Sequence, residues 1–266
     1  MKIPNTRYGT GGTGRRAARA LTALVFMTGV TGAASAQAPS PASAGTADKA
    51  AIEKIVRDYI LDNPEIVADA IQRLREKKKR ADSAADLQRL AANRDALLND
   101  PASPVGGNPQ GDVTIVEFFD YRCGVCKRLH PIVDELVKSD PDIRRVYKDW
   151  PILGPNSVLA ARAAIASRKQ GKYLSLHKVM MESGSAFGES AIMAMAESVG
   201  IDAARLRRDM RAAETDEIIR RNYALAEKLK LTGTPSIVIG DTLLRGARDL
   251  ASLRALVAGA RAKKKR

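Results

Sequence analysis

Apolar positions along this chain fall into a helical rhythm and an extended one, and the changes between them mark out its elements. Ile52, Ile55, Val56, Tyr59 and Ile60 recur at helical spacing from Asp48 onward. Asn63-Pro64-Glu65 then interrupts, reading as an N-cap, a first-turn proline and a first-turn acid. A second helical stretch continues through Ile66, Val67, Ala70, Ile71 and Leu74, past a basic cluster, to Leu87, Leu90, Leu97 and Leu98. Val113 to Phe119 is β-branched and aromatic, the pattern of a buried strand. Leu129, Ile132, Val133, Leu136 and Val137 return to helical spacing, and Ile143 to Lys148 predicts a second strand. Asn156 to Leu231 is helical almost throughout. Ser236–Ile239 and Thr242–Leu244 predict a hairpin around Gly240-Asp241, and Leu250 to Ala260 a closing helix.

Composition divides this pattern into regions. Residues 1–36 combine five basic residues, no acidic residue, an apolar core from Ala20 to Val30 and the small-residue site Ala34-Ser35-Ala36. This predicts a secretory signal whose core is too short to span a bilayer, and hence a soluble periplasmic protein. Residues 37–47, rich in Ala, Ser, Pro and Gly, predict a disordered leader. Residues 48–99 carry an apolar stripe with no strand, so the stripe must pack on the catalytic domain or on another chain. Residues 100–111, with Pro101, Pro104, Pro109, Gly106 and Gly107, predict a linker. Residues 112–263 are long enough for one sizeable core.

The chain has 44 Lys+Arg and 30 Asp+Glu. Without the five basic residues of 1–36 this leaves 39 against 30, a charge of +9. Such a balance suits anionic surfaces, but the clusters Lys77–Arg80 and Lys263–Arg266 are not interleaved with aromatics and export opposes a nucleic-acid partner. Solvated charge is the reading.

The only two cysteines are Cys123 and Cys126, in Cys-Gly-Val-Cys, where a predicted strand ends and a helix begins. Free N–H groups and the positive end of the helix dipole favour an anion there, and a thiolate is that anion. Cys123 is the expected nucleophile and Cys126 the resolving thiol. A structural disulfide closing so short a loop would constrain the unfolded chain little. A zinc site needs four ligands, and only His130 and His177 are available to join the cysteines. Two thiolates with methionines near them would also suit Cu(I).

The segment Glu117 to Pro131, with an acid six before the first cysteine and a proline eight after it, resembles the active-site segment of thioredoxin-fold oxidoreductases. Trp150-Pro151-Ile152-Leu153-Gly154 and Gly233-Thr234-Pro235-Ser236 are similar to the DsbA-like branch of bacterial envelope proteins, in particular the suppressor of copper sensitivity protein C group, over about residues 48–260. The resemblance implies an α/β thioredoxin fold with a helical domain inserted at about 156–231, preceded by an N-terminal α-helical segment. It implies a thiol–disulfide oxidoreductase or isomerase with no cofactor beyond a redox-active Cys123–Cys126 disulfide; a Cu(I)-binding copper-tolerance protein is the alternative. Its implied partners are protein substrates with thiols or disulfides, a membrane redox partner and, through residues 48–99, further copies of itself in a homo-oligomer such as a trimer. The other reading of 48–99 is an arm folded back on its own domain.

The same resemblance implies a cis-proline loop at Thr234-Pro235 that offers the Thr234 backbone to an extended substrate. Glu117 in an otherwise apolar strand either points to solvent or needs a partner, with Lys148 a candidate; the resemblance implies a buried acid, here expected with a raised pKa, that moves protons for Cys126. Gly124-Val125 is similar to the Gly-aromatic dipeptide of isomerases, with Val125 a departure, and implies a potential between those of the isomerases and thioredoxin. His130 is expected either to add positive charge near the pair or to lie solvated. The methionines after residue 36 are expected on core faces.

Overall fold

The computed structural model describes residues 44–184 and 187–264. The signal predicted for 1–36 and most of the leader therefore lie outside the described residues. The described chain separates between Asn63 and Pro64 into two compact units.

The first unit contains α1 (Ala44–Asp62). It begins four residues before Asp48, so the end of the predicted leader is helical. Ile52, Ile55, Val56, Tyr59, Ile60 and Leu61 are all exposed on it. Asn63 does not cap the helix that follows. Its Nδ2 donates to the Tyr59 carbonyl at 2.9 Å, closing the C-terminal end of α1 instead.

The second unit opens with α2 (Glu65–Ala92), whose first turns expose Ile66, Val67, Ile71 and Leu74. Its last turns are buried. Asp86 accepts from Arg245 at 2.8 and 2.9 Å and from Arg89 at 2.5 Å. Leu90, and Leu97 on α3 (Arg94–Leu98), enter the core with Val116, Phe118, Val146 and Trp150. The predicted helical segment 48–99 is thus not uniform: its last third belongs to the catalytic body, because Leu90 and Leu97 need apolar cover.

Five strands form one sheet in the order β1-β3-β2-β4-β5. These are β1 (Val105–Gly107), β2 (Val113–Phe119), β3 (Ile143–Asp149), β4 (Ser236–Ile239) and β5 (Thr242–Arg245). β2 and β3 run parallel, with Glu117 opposite Tyr147; β1 pairs antiparallel to β3, and β4 to β2 and β5. β1 corrects the reading of 100–111 as a linker. Its glycines permit close approach: a Cβ on Gly106 would lie 2.9 Å from the Tyr147 hydroxyl, and Gly107 has φ 65°.

Both faces of β2 and β3 are covered, so all but the second residue of each strand is buried, charged side chains included. α4 (Gly124–Ser139) and α10 (Leu250–Lys264) cover one face around Ile115, Leu129, Leu136, Ile237 and Leu253. On the other face lie Leu90, Leu97, Leu225 and Leu229. Between β3 and β4 the chain inserts α5 (Pro155–Ser167), a 3₁₀ turn at Arg168–Gln170, α6 (Tyr173–Glu182), α7 (Glu189–Ser198), α8 (Ala203–Met210) and α9 (Ala213–Lys228). These helices share a core in which Met180, Met181, Met193 and Met210 are buried. The fold is a thioredoxin-type sheet with a helical insertion.

Candidate active site

β2 ends at Phe119, and four residues later Cys123 forms the N-cap of α4 in extended backbone, φ −75° and ψ 108°. The Cys126 backbone N–H donates to the Cys123 sulfur at 3.2 Å, the bond that a capping oxygen would normally take. From the β4 side, the Thr234 carbonyl stands 3.4 Å from the Cys123 sulfur. The Thr234–Pro235 bond is cis. Cys123 is 7% exposed and Cys126 fully buried, while Val125 between them is 37% exposed, so Cys123 alone of the two reaches the surface.

Both cysteines are free thiols here, and their electrostatics diverge. Hydrogen bonding from the Cys126 thiol, helped by the Thr234 side chain and by the amides of Cys126 and Val125, outweighs burial and brings Cys123 down to about 5. That shared hydrogen bond, with burial, holds Cys126 well above an ordinary thiol, against a bond from the Asp120 amide. At neutral pH one sulfur is a thiolate and its neighbour holds the proton.

Asp120, buried three residues before Cys123, ties the cysteine loop to the segment after β3. Its Oδ1 accepts from the Arg122 N–H at 2.7 Å and its Oδ2 from the Leu153 N–H at 2.9 Å. Lys127, next to Cys126, ties α4 to the insertion. Its Nζ donates to the carbonyls of Met180 at 2.7 Å and Ser183 at 3.0 Å at the end of α6, and lies 4.8 Å from the Phe187 ring centroid. Neither residue stood out by periodicity. Asp120 carried one signal, an acid in a turn just before a helix.

Glu117 is completely buried, and its partner is Arg145, not Lys148. Arg145 donates through Nε and Nη2 to Glu117 Oε2 at 3.1 and 2.6 Å and through Nη1 to Asp134 at 2.6 Å, leaving Glu117 Oε1 without a hydrogen bond. Residues alternate across a strand, so Arg145, two before Tyr147 on β3, shares a face with Glu117 while Lys148 points to the other. Lys148 instead donates to the Ala96 carbonyl at 2.7 Å and to Ser103 at 2.6 Å.

The two histidines are both buried, with ring centroids 5.2 Å apart. Burial holds His130 below its ordinary range, so it neither adds positive charge beside the sulfurs nor lies solvated. His177 is pushed well below by burial, within an aromatic shell of Phe119, Tyr121, Tyr147 and Tyr173. Its Nδ1 lies 3.0 Å from the Tyr121 hydroxyl, and Tyr173 donates to Asp149 at 2.8 Å. Burial pushes the Asp149 carboxyl up to about 7, against hydrogen bonds from Tyr173 and Tyr121. Periodicity did not single out this buried network, since tyrosine fits an apolar face as well as a polar one.

The family described as DSBA-like thioredoxin domain matches residues 114–258. The chain belongs to that family. A second match, the copper resistance protein ScsC N-terminal domain, covers residues 48–81. A thioredoxin-like oxidoreductase from Silicibacter pomeroyi DSS-3 is 48% identical with TM-score 0.62, covering 64% of this chain and 98% of that one. A linker-deletion mutant of Proteus mirabilis ScsC is 30% identical with TM-score 0.64, covering 84% and 100%. The Na(+)/H(+) antiporter NhaA 3 of Salinispora tropica is 25% identical over 158 residues, 59% of this chain. The chain spans about a quarter of the length of the curated relatives it matches. It has the fold of thiol–disulfide oxidoreductases, and among the described residues no helix is long and apolar enough to cross a membrane.

Proposed function

We propose that this protein is a periplasmic thiol–disulfide oxidoreductase that exchanges disulfides with envelope protein substrates through Cys123 and Cys126. The observation that carries the reading is the pair of unequal sulfurs: a thiolate at the N-terminus of α4, 3.2 Å from the Cys126 N–H, facing the Thr234 carbonyl at 3.4 Å. The Cys123 thiolate attacks one sulfur of a substrate disulfide; that S–S bond breaks and its other sulfur leaves as a thiolate that takes up a proton. Cys126 then loses its proton and attacks the Cys123 sulfur of the mixed disulfide, releasing the second substrate thiol. The substrate is reduced by two electrons and the Cys123–Cys126 pair oxidised. The reverse sequence oxidises a substrate dithiol. Pro235 shapes the substrate groove, and the Thr234 backbone receives an extended substrate strand.

Glu117 enters as the acid/base for Cys126, through the Oε1 that Arg145 leaves unbonded. An unchanged pH profile of exchange in Glu117→Gln would remove that role. The Gly124-Val125 dipeptide supports a potential between about −180 mV and about −270 mV, the values of protein disulfide isomerase and thioredoxin.

The exposed apolar residues of α1 and of the first turns of α2 support assembly into a homo-oligomer, in which several active sites face one substrate and isomerisation becomes efficient. A membrane redox partner would recycle the pair. Refolding of a scrambled multi-disulfide protein, run beside light scattering, tests both ideas on the mature chain and on Ile55→Glu/Tyr59→Glu. Loss of oligomer and isomerase activity together supports an isomerase organised by its arm. A monomer in both forms, with dithiol oxidation or reduction only, leaves a simpler redox enzyme. The match of residues 48–81 to a copper resistance domain favours a second reading, Cu(I) as cargo on the two thiolates. Titration of the reduced protein with Cu(I), with Cys123→Ser as control, separates that reading from exchange.

A further inference from the structure

We propose that Asp120 is a positioning residue for disulfide exchange: its carboxylate straps the cysteine loop to the 150–154 segment and so keeps Cys123 between the Cys126 amide and the Thr234 carbonyl. The inference rests on the exchange reading given above.

The strap is built from both ends. On the cysteine side, Asp120 Oδ1 accepts from the Arg122 N–H at 2.7 Å, and the Asp120 carbonyl accepts from the Cys123 N–H at 3.1 Å. These bonds fix the backbone immediately before the nucleophile. On the far side, Oδ2 accepts from the Leu153 N–H at 2.9 Å, 33 residues along the chain. Two parallel ties reinforce it: Arg122 Nη1 donates to the Leu153 carbonyl at 2.6 Å, and the Trp150 N–H donates to the Phe119 carbonyl at 2.9 Å.

The far anchor is itself held. From α9, Asn222 Nδ2 donates to the Asp149 carbonyl at 2.9 Å and the Tyr223 hydroxyl to the Pro151 carbonyl. The segment to which Asp120 is tied is therefore anchored in turn to α9.

The chemistry of the site selects aspartate. Both groups that face the side chain are N–H donors, so it must accept at two oxygens. Asparagine would turn an N–H₂ toward one donor and alanine would leave both unbonded in a buried place. Cys123 needs this restraint because its acidity depends on short-range hydrogen bonds to its sulfur, which weaken steeply with distance and angle. The strap also joins two exposed residues, Arg122 and Leu153.

The test uses full-length mature protein as wild type, Asp120→Ala and Asp120→Asn. The Cys123 thiolate is titrated by its ultraviolet absorbance, exchange rates are measured with glutathione disulfide and with an extended peptide disulfide, and melting is followed in parallel. The expected result for Asp120→Ala is a Cys123 titration raised by roughly one pH unit or more, a tenfold change in the ionisation constant, with slower exchange at both probes. Asp120→Asn, which keeps one acceptor, falls between the two. A variant that melts lower yet titrates Cys123 at the wild-type value and exchanges at the wild-type rate would make Asp120 structural only, and overturn the proposal. If the alanine variant does not fold, the asparagine variant decides on the same criterion. A wild-type protein that titrates near 5 but exchanges with neither probe would sink the exchange reading instead, leaving the strap judged by titration alone.

Discussion

α4 and α1 are both helices with an apolar stripe, and they meet opposite fates. α4 buries Leu129, Val133 and Leu136 against the sheet and α10, and that packing orients its N-terminus, where Cys123 sits. α1 leaves Ile52, Ile55, Tyr59 and Leu61 exposed. An apolar face states that cover is required but not what supplies it. In α4 the cover lies within the fold and serves catalytic geometry; in α1 the apolar side chains still face outward.

The largest expected effect breaks the comparison on the chemical side. Cys123→Ser should abolish exchange with any disulfide probe, since serine at neutral pH is not a competent nucleophile for sulfur, while Ile55→Glu should leave exchange with glutathione disulfide at the wild-type rate. Equal losses in the two variants would mean that the arm takes part in the chemistry.

Packing comes next. Leu129→Ala should cost about 2–5 kcal/mol in denaturant unfolding, as for other large core truncations. Leu61→Ala on α1 should stay within about 0.5 kcal/mol when measured in dilute monomer. A large cost at Leu61 in the monomer would show that α1 is covered by its own chain. Arg145→Ala sits with the core class: it strands the buried Glu117 carboxylate and should cost about 3–5 kcal/mol.

The remaining effects are in pH dependence. The Asp149 carboxyl titrates at 3.8 unfolded and about 7 folded, so between those values the folded chain holds an extra proton and stability falls as pH rises. Cys123 works the other way. Its thiol is lowered from 9.0 to about 5, so the reduced protein gains stability as pH rises from about 5 toward 9 and loses it as pH falls back through 5. Asp149→Asn should flatten the first slope and Cys123→Ser the second, in urea unfolding of the reduced protein from about pH 4 to 9, a span that brackets both transitions. A fall in stability with rising pH that persists below about pH 7 in Asp149→Asn would place its origin in groups other than Asp149.

Much of the fold was legible in the chain. Val113–Phe119, the helix after the cysteines and the hairpin around Gly240-Asp241 follow from apolar period and turn residues, which act locally. The 100–111 segment was not legible, because three glycine-rich residues form a strand only when Tyr147 and Ile143 of β3 stand beside them. At the site, Cys123 and Cys126 stood out by residue type and spacing, Thr234 and Pro235 only through the family resemblance, and the structure brings Cys123, Cys126 and Thr234 together around one sulfur. Asp120, Arg145 and Lys127 did not, because each has a partner 28 to 56 residues away.

By itself the sequence determined most strands and helices, β1 excepted, and that both thiols lie where a strand hands over to a helix, since these depend on neighbours a few residues apart. Only the tertiary structure decided which cation meets Glu117 and which apolar stripes are covered. Each of those depends on hydrogen bonds and contacts between groups far apart in the chain, whose strength rests on angstrom-scale distance and on exclusion of water.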